Sequence, residues 1–174
     1  VYFIFLLFIF LGVIAYMDIL QYFVGEEYRS GLKVVPILLA ANLCLGVYYN
    51  LSIWYKVSDK TIYGAYISII GAVVTLVLNY LLVPQFGYMG AAYTTLICYF
   101  LIMVICWAFG QKYYPVKYPL KRLFLYTMLA FGLFLLMNNN TIANIPLKLF
   151  VNSILLLAFA VVAYWFELRK ALKR

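Results

Sequence analysis

Few side chains in this sequence could do bond-making chemistry. The acids are Asp18, Glu26, Glu27, Asp59 and Glu167, and there is no histidine. General acid–base work needs two groups that converge on one point. Glu26 and Glu27 are adjacent, and neighbours on a helix point apart. Asp59 lies beside Lys60 in a short polar turn, and Glu167 lies in a basic tail. Cys44, Cys98 and Cys106 sit inside apolar runs without metal-ligand spacing, so they read as small packing residues. No phosphate-cradling glycine loop or nucleophile elbow is present. No catalytic residue, metal site or cofactor is assigned, and an enzyme is not expected.

The informative polar residues lie inside apolar stretches. Gly46, Tyr49 and Asn50 follow Asn42 at offsets of four, seven and eight, which places the four on one helical face. Gly64, Ser68, Gly71, Ala72, Thr75 and Asn79 form a second small and polar stripe. Gly87, Gly90, Ala91, Thr94, Thr95 and Cys98 form a third. Such stripes have two uses. Small residues let helices approach closely, with Ser, Thr and Asn bonding across the seam. Alternatively, amides and phenols line a wet cavity. Asn42, Tyr49, Asn50, Thr75 and Asn79 are therefore candidates for a substrate path. Asp18 is the one acid inside an apolar run. It is either solvated at an interface or part of an ion site or gate. Arg29 and Lys33 could meet an anionic pyrophosphate at a mouth, or simply flank a helix.

The elements holding these residues follow from composition. Apolar residues make up 68% of the chain and charged ones 10%, and mean hydropathy is +1.03. A soluble domain has roughly 45–50% apolar and about 25% charged residues. A chain of this size could not hide that much apolar surface from water, so its solvent is expected to be lipid. The net charge of +8 is spread in short clusters between apolar runs, which argues for membrane topology and against nucleic-acid binding.

Six segments read as membrane-spanning helices, near 1–24, 34–55, 62–83, 88–109, 119–137 and 147–166. Lipid offers backbone groups no partner, and the runs are too long and uniformly apolar for barrel strands. The expected fold class is all-α, a polytopic bundle forming one membrane domain over 1–174. Pro36 is expected to kink the second helix, and 84–87 is expected to be a loop. Tyr48, Tyr49, Trp54, Tyr55, Tyr113, Tyr114, Tyr164 and Trp165 fit interfacial belts. The chain opens inside an apolar run, as a piece of a longer protein would.

Six spans sort the basic residues by side. Lys56, Lys60, Lys112, Lys117, Lys121, Arg122, Arg169, Lys170, Lys173 and Arg174 fall on one side, and Arg29, Lys33 and Lys148 on the other. The positive-inside rule makes the first side cytoplasmic, with both ends of the chain on it.

The stretch 31–61, GLKVVPILLAANLCLGVYYNLSIWYKVSDKT, and the run 76–99, LVLNYLLVPQFGYMGAAYTTLICY, resemble polysaccharide-biosynthesis flippases. The pattern on Asn79, Pro84, Gly87, Gly90, Ala91 and Ala92 carries most of the likeness. It is similar to the C-terminal lobe of the multidrug/oligosaccharidyl-lipid/polysaccharide exporter superfamily. The likeness covers roughly 18–122, and the last two spans match only in hydropathy. The resemblance implies two six-helix lobes facing a central cavity and exchanging access by rocking, often with ion coupling. It implies transport of an undecaprenyl-pyrophosphate-linked oligosaccharide across a bacterial inner membrane, for surface polysaccharide or O-antigen. This chain would be the second lobe, partnered by the N-terminal lobe of the same protein and by membrane lipids. No Lys or Arg lies deep in a span, so a basic pyrophosphate contact would fall to the helix ends or the other lobe. The alternatives are a multidrug or metabolite exporter, a lipid II flippase, or a membrane-embedded sugar-assembly transferase built on the 26–33 loop.

Overall fold

The computed structural model describes residues 2–115, 120–138 and 145–171. Every regular element among them is helical. The eight α-helices are α1 (Tyr2–Ala15), α2 (Met17–Leu20), α3 (Val35–Leu51), α4 (Ile53–Val57), α5 (Ile62–Phe86), α6 (Tyr88–Tyr113), α7 (Leu120–Asn138) and α8 (Ile145–Ala171). Two 3-10 stretches, Gln21–Phe23 and Glu26–Val34, join α2 to α3. Most of the Asn-rich loop, Lys117 and the last three residues lie outside the described residues.

Among the described residues, four helical stretches are long and apolar enough to cross a bilayer: Glu26–Val57, Ile62–Phe86, Tyr88–Tyr113 and Pro146–Trp165. A bent pair, Tyr2–Ala15 with Met17–Phe23, makes a fifth if it counts as one span. The described residues thus form an all-helical structure with four or five long apolar helices, compatible with a multi-pass membrane protein. α7 has 19 residues, about 28 Å at 1.5 Å per residue, with Lys121 and Arg122 in its first turn. The helices turn large apolar side chains outward: Leu76 is 72% exposed, Tyr80 81% and Val161 65%. In water such faces would be unfavourable at about 25 cal/mol per Å²; in lipid they carry no penalty.

The packing divides the chain into two compact units, 1–29 with 119–174 and 30–118. In the first, α1 packs on α7 and α8. Its interior holds Leu7, Leu11, Ile14, Tyr126, Ala130, Leu156 and Phe159. In the second, α6 is central and packs on both α3 and α5. Its core is Tyr48, Leu51, Trp54, Tyr55, Ile67, Cys98, Ile102 and Cys106.

Several boundaries depart from the sequence reading. The first segment is not one straight helix: its halves meet at 56° around Tyr16. Pro36 does not kink α3. It lies in the first turn, where its missing N–H is not needed. Residues 84–86 are helical, because Pro84 falls in the last turn and Gly87 alone reverses the chain. Gly87 has φ +56° and donates its N–H to the Val83 carbonyl at 2.8 Å. A Cβ on Gly90 would run into the Leu82 carbonyl. The Pro84, Gly87, Gly90 spacing is therefore a device for folding α6 tightly back on α5. Trp54 and Tyr55 are not interfacial anchors, since both are buried against α5 and α6.

Candidate functional site

The break in the first segment is the densest polar site in unit one. At Tyr16 the backbone leaves helical geometry (φ −105°, ψ 15°), and the Ile19 N–H bonds to the Tyr16 carbonyl. The Ala15 carbonyl thereby loses the donor four residues on that a continuous helix would supply. An unpaired carbonyl at membrane depth costs several kcal/mol. Asn152 of α8 fills the role, donating Nδ2 to the Ala15 carbonyl at 3.2 Å. The next carbonyls in this series are also taken by side chains. Gln21 Nε2 donates to Asp18 O at 2.9 Å, and Arg29 Nε donates to Gln21 O at 3.3 Å. Of these carbonyls, Ala15 O depends on a side chain from α8, whereas Gln21 O also accepts the Val24 N–H at 3.2 Å.

Charge closes the same site. Lys148 Nζ lies 2.8 Å from Asp18 Oδ2, with both side chains only about a quarter exposed. Beside the pair, the Tyr16 and Ser153 hydroxyls are 3.0 Å apart, and Ser153 donates to Leu149 O at 2.7 Å. Asn152 is 2% exposed and its Oδ1 has no hydrogen-bond partner among the described residues. The sequence singled out Asp18 but not Lys148 or Asn152. Their i, i+4 spacing on α8 was the available signal, and it becomes meaningful only once α1 lies alongside.

Arg29 is held by its own loop. Its guanidinium also stands 3.7 Å from Glu26 and over the Tyr22 ring at 5.8 Å. Lys33 is exposed at the end of the second 3-10 stretch.

In unit two the stripes separate by use. Asn42, Tyr49 and Asn50 are exposed on α3, whereas Gly46, expected on the same face, is buried. Asn42 bonds only to its own helix, Nδ2 to Leu38 O at 2.9 Å. The α5 and α6 stripes meet each other. Thr75 Oγ1 donates to Gly71 O at 2.8 Å and stands 3.1 Å from Cys98 Sγ, which lies 3.3 Å from Gly71 O. A Cβ on Gly71 would press on Ile102 at 3.1 Å. Thr75 thus lies in a packing seam. Asn79 is half-buried, and its buried Oδ1 has no hydrogen-bond partner among the described residues.

Neither family models, nor characterised proteins, nor solved structures match the chain. Among the described residues no cluster of His, Cys, Asp or Glu could hold a metal ion. Among the described residues, unit one thus holds a charge-closed helix break and unit two an exposed amide and phenol face on α3.

Proposed function

We propose that this chain is the C-terminal six-helix lobe of a flippase that moves lipid-linked oligosaccharide across a bacterial inner membrane. The six spans are the bent first segment, the second segment through α3 and α4, then α5, α6, α7 and α8. Both ends of the chain are cytoplasmic in this reading, and the N-terminal lobe of the same protein closes the transport path. The substrate is an undecaprenyl-pyrophosphate-linked oligosaccharide. The lobe does no bond chemistry, needs no cofactor and binds no nucleic acid.

The observation that carries the reading is the α3 face. Asn42, Tyr49 and Asn50 point out of their unit on a helix of membrane-spanning length. Polar side chains at that depth face a wet cavity or a protein partner, not hydrocarbon. A sugar crossing between two lobes requires such a wall. The break at Tyr16 adds support, because discontinuous helices recur where transporters bind or gate.

Deleting the gene tests the function. The expected result is loss of surface polysaccharide, restored by the wild-type gene. Intact polysaccharide in a strain without a paralogue overturns the reading. Drug sensitivity with normal polysaccharide would identify an exporter instead. Lethality with arrested cell-wall synthesis would identify a lipid II flippase. Loss of function in Glu26→Gln/Glu27→Gln would revive a transferase.

A further inference from the structure

The turn joining α4 to α5 and the end of α6 form a cationic surface that the transport reading does not use. Lys60 Nζ lies 4.5 Å from the centroid of the Tyr113 ring, and Lys112 Nζ lies 5.6 Å from the same centroid. The two ammoniums are thus within roughly 10 Å of each other. Neither has a carboxylate within ion-pair distance among the described residues, although Asp59 precedes Lys60. Like charges gathered on one ring repel unless an anion joins them, and the ring faces hold them in place.

The surface beside them is apolar. Tyr113 packs on Tyr63 at 4.9 Å, and Tyr63 meets Tyr66 edge-on at 6.4 Å. From there Ile62, Tyr66, Ile69 and Val73 follow one face of α5, each more than half exposed. Their spacing of four, three and four residues keeps them in line. The track descends about 16 Å, close to the roughly 15 Å of hydrocarbon in one leaflet.

We propose that Lys60, Lys112 and Tyr113 bind the headgroup phosphate of an anionic phospholipid, with an acyl chain along Ile62, Tyr66, Ile69 and Val73. A free phosphate has no use for the track, and a neutral lipid has none for the paired lysines. The proposal rests on the membrane setting alone, so it stands or falls separately from the flippase reading.

Native mass spectrometry of the intact protein in detergent, with added phosphatidylglycerol or phosphatidylcholine, tests it. Wild type should retain phosphatidylglycerol preferentially. Lys60→Gln/Lys112→Gln should weaken that retention by about fivefold per lysine removed. Lys60→Arg/Lys112→Arg should keep the preference, which separates lost charge from misfolding. Equal retention of both lipids by wild type, or an undiminished preference in the glutamine variant, overturns the proposal. Displacement of the lipid by equimolar inorganic phosphate also overturns it, because the site would then be one for free phosphate.

Discussion

Lys148 and Asp18, 130 residues apart in sequence, form an ion pair of 2.8 Å that ties the start of α8 to the segment beyond the break in the first span. The contact is partly shielded, so it is screened less by salt than a surface pair. It is also the place where a charged group inside an apolar run finds its partner.

Removing either partner leaves the other charge poorly solvated. Asp18→Asn and Lys148→Gln should each destabilise the protein by about 1–2 kcal/mol, and the double variant by no more than one of them. Thermal unfolding of the four proteins in detergent gives the coupling directly. Fully additive losses would show that the two side chains do not interact.

Asn152 has a separable role. Asn152→Leu keeps the branched shape but abandons the Ala15 carbonyl, and should cost about 1–2 kcal/mol. Hydrogen exchange at the α1 and α2 amides should rise with it. An unchanged melting temperature and exchange pattern would show that the break is stable without its side-chain cap.

The glycines should divide by what a methyl group would meet. Gly90→Ala forces α6 away from the Leu82 carbonyl, and Gly87→Ala strains a left-handed backbone. Each should lose about 1–3 kcal/mol. Gly132→Ala meets nothing within 4 Å in the middle of α7 and should be neutral or gain about 0.5–1 kcal/mol. Melting temperatures in one detergent check all three.

The stripes should separate stability from transport. Asn42→Leu and Asn50→Leu alter exposed positions and should leave stability within about 0.5 kcal/mol while impairing polysaccharide export. Thr75→Val removes the bonds to Gly71 and Cys98 in the α5–α6 seam, and should lower stability by about 1 kcal/mol with export intact. The reverse pattern would exchange the roles of the two surfaces.

Part of this was legible in the sequence for a physical reason. Apolar runs of span length leave the backbone no choice but helix in lipid, so the helical class and most helix positions followed from composition and length. The turn at Gly87 was visible as a motif, because only glycine tolerates its backbone and only glycine at 90 permits the close approach. The break at Tyr16 was not legible, since neither proline nor glycine marks it. The side chains that α8 brings to the break were equally hidden. Lys148 reads as a helix-flanking lysine, and Asn152 as one polar residue in an apolar run.

What the sequence determined by itself is the helical class and most helix positions, which depend on local composition and length. What only the tertiary structure decided is which polar stripe is consumed in packing and which remains free. That depends on which helices become neighbours: α6 covers Gly71 and Thr75 but leaves Asn42, Tyr49 and Asn50 bare, and α8 brings Asn152 and Lys148 to a break that α1 could not satisfy alone.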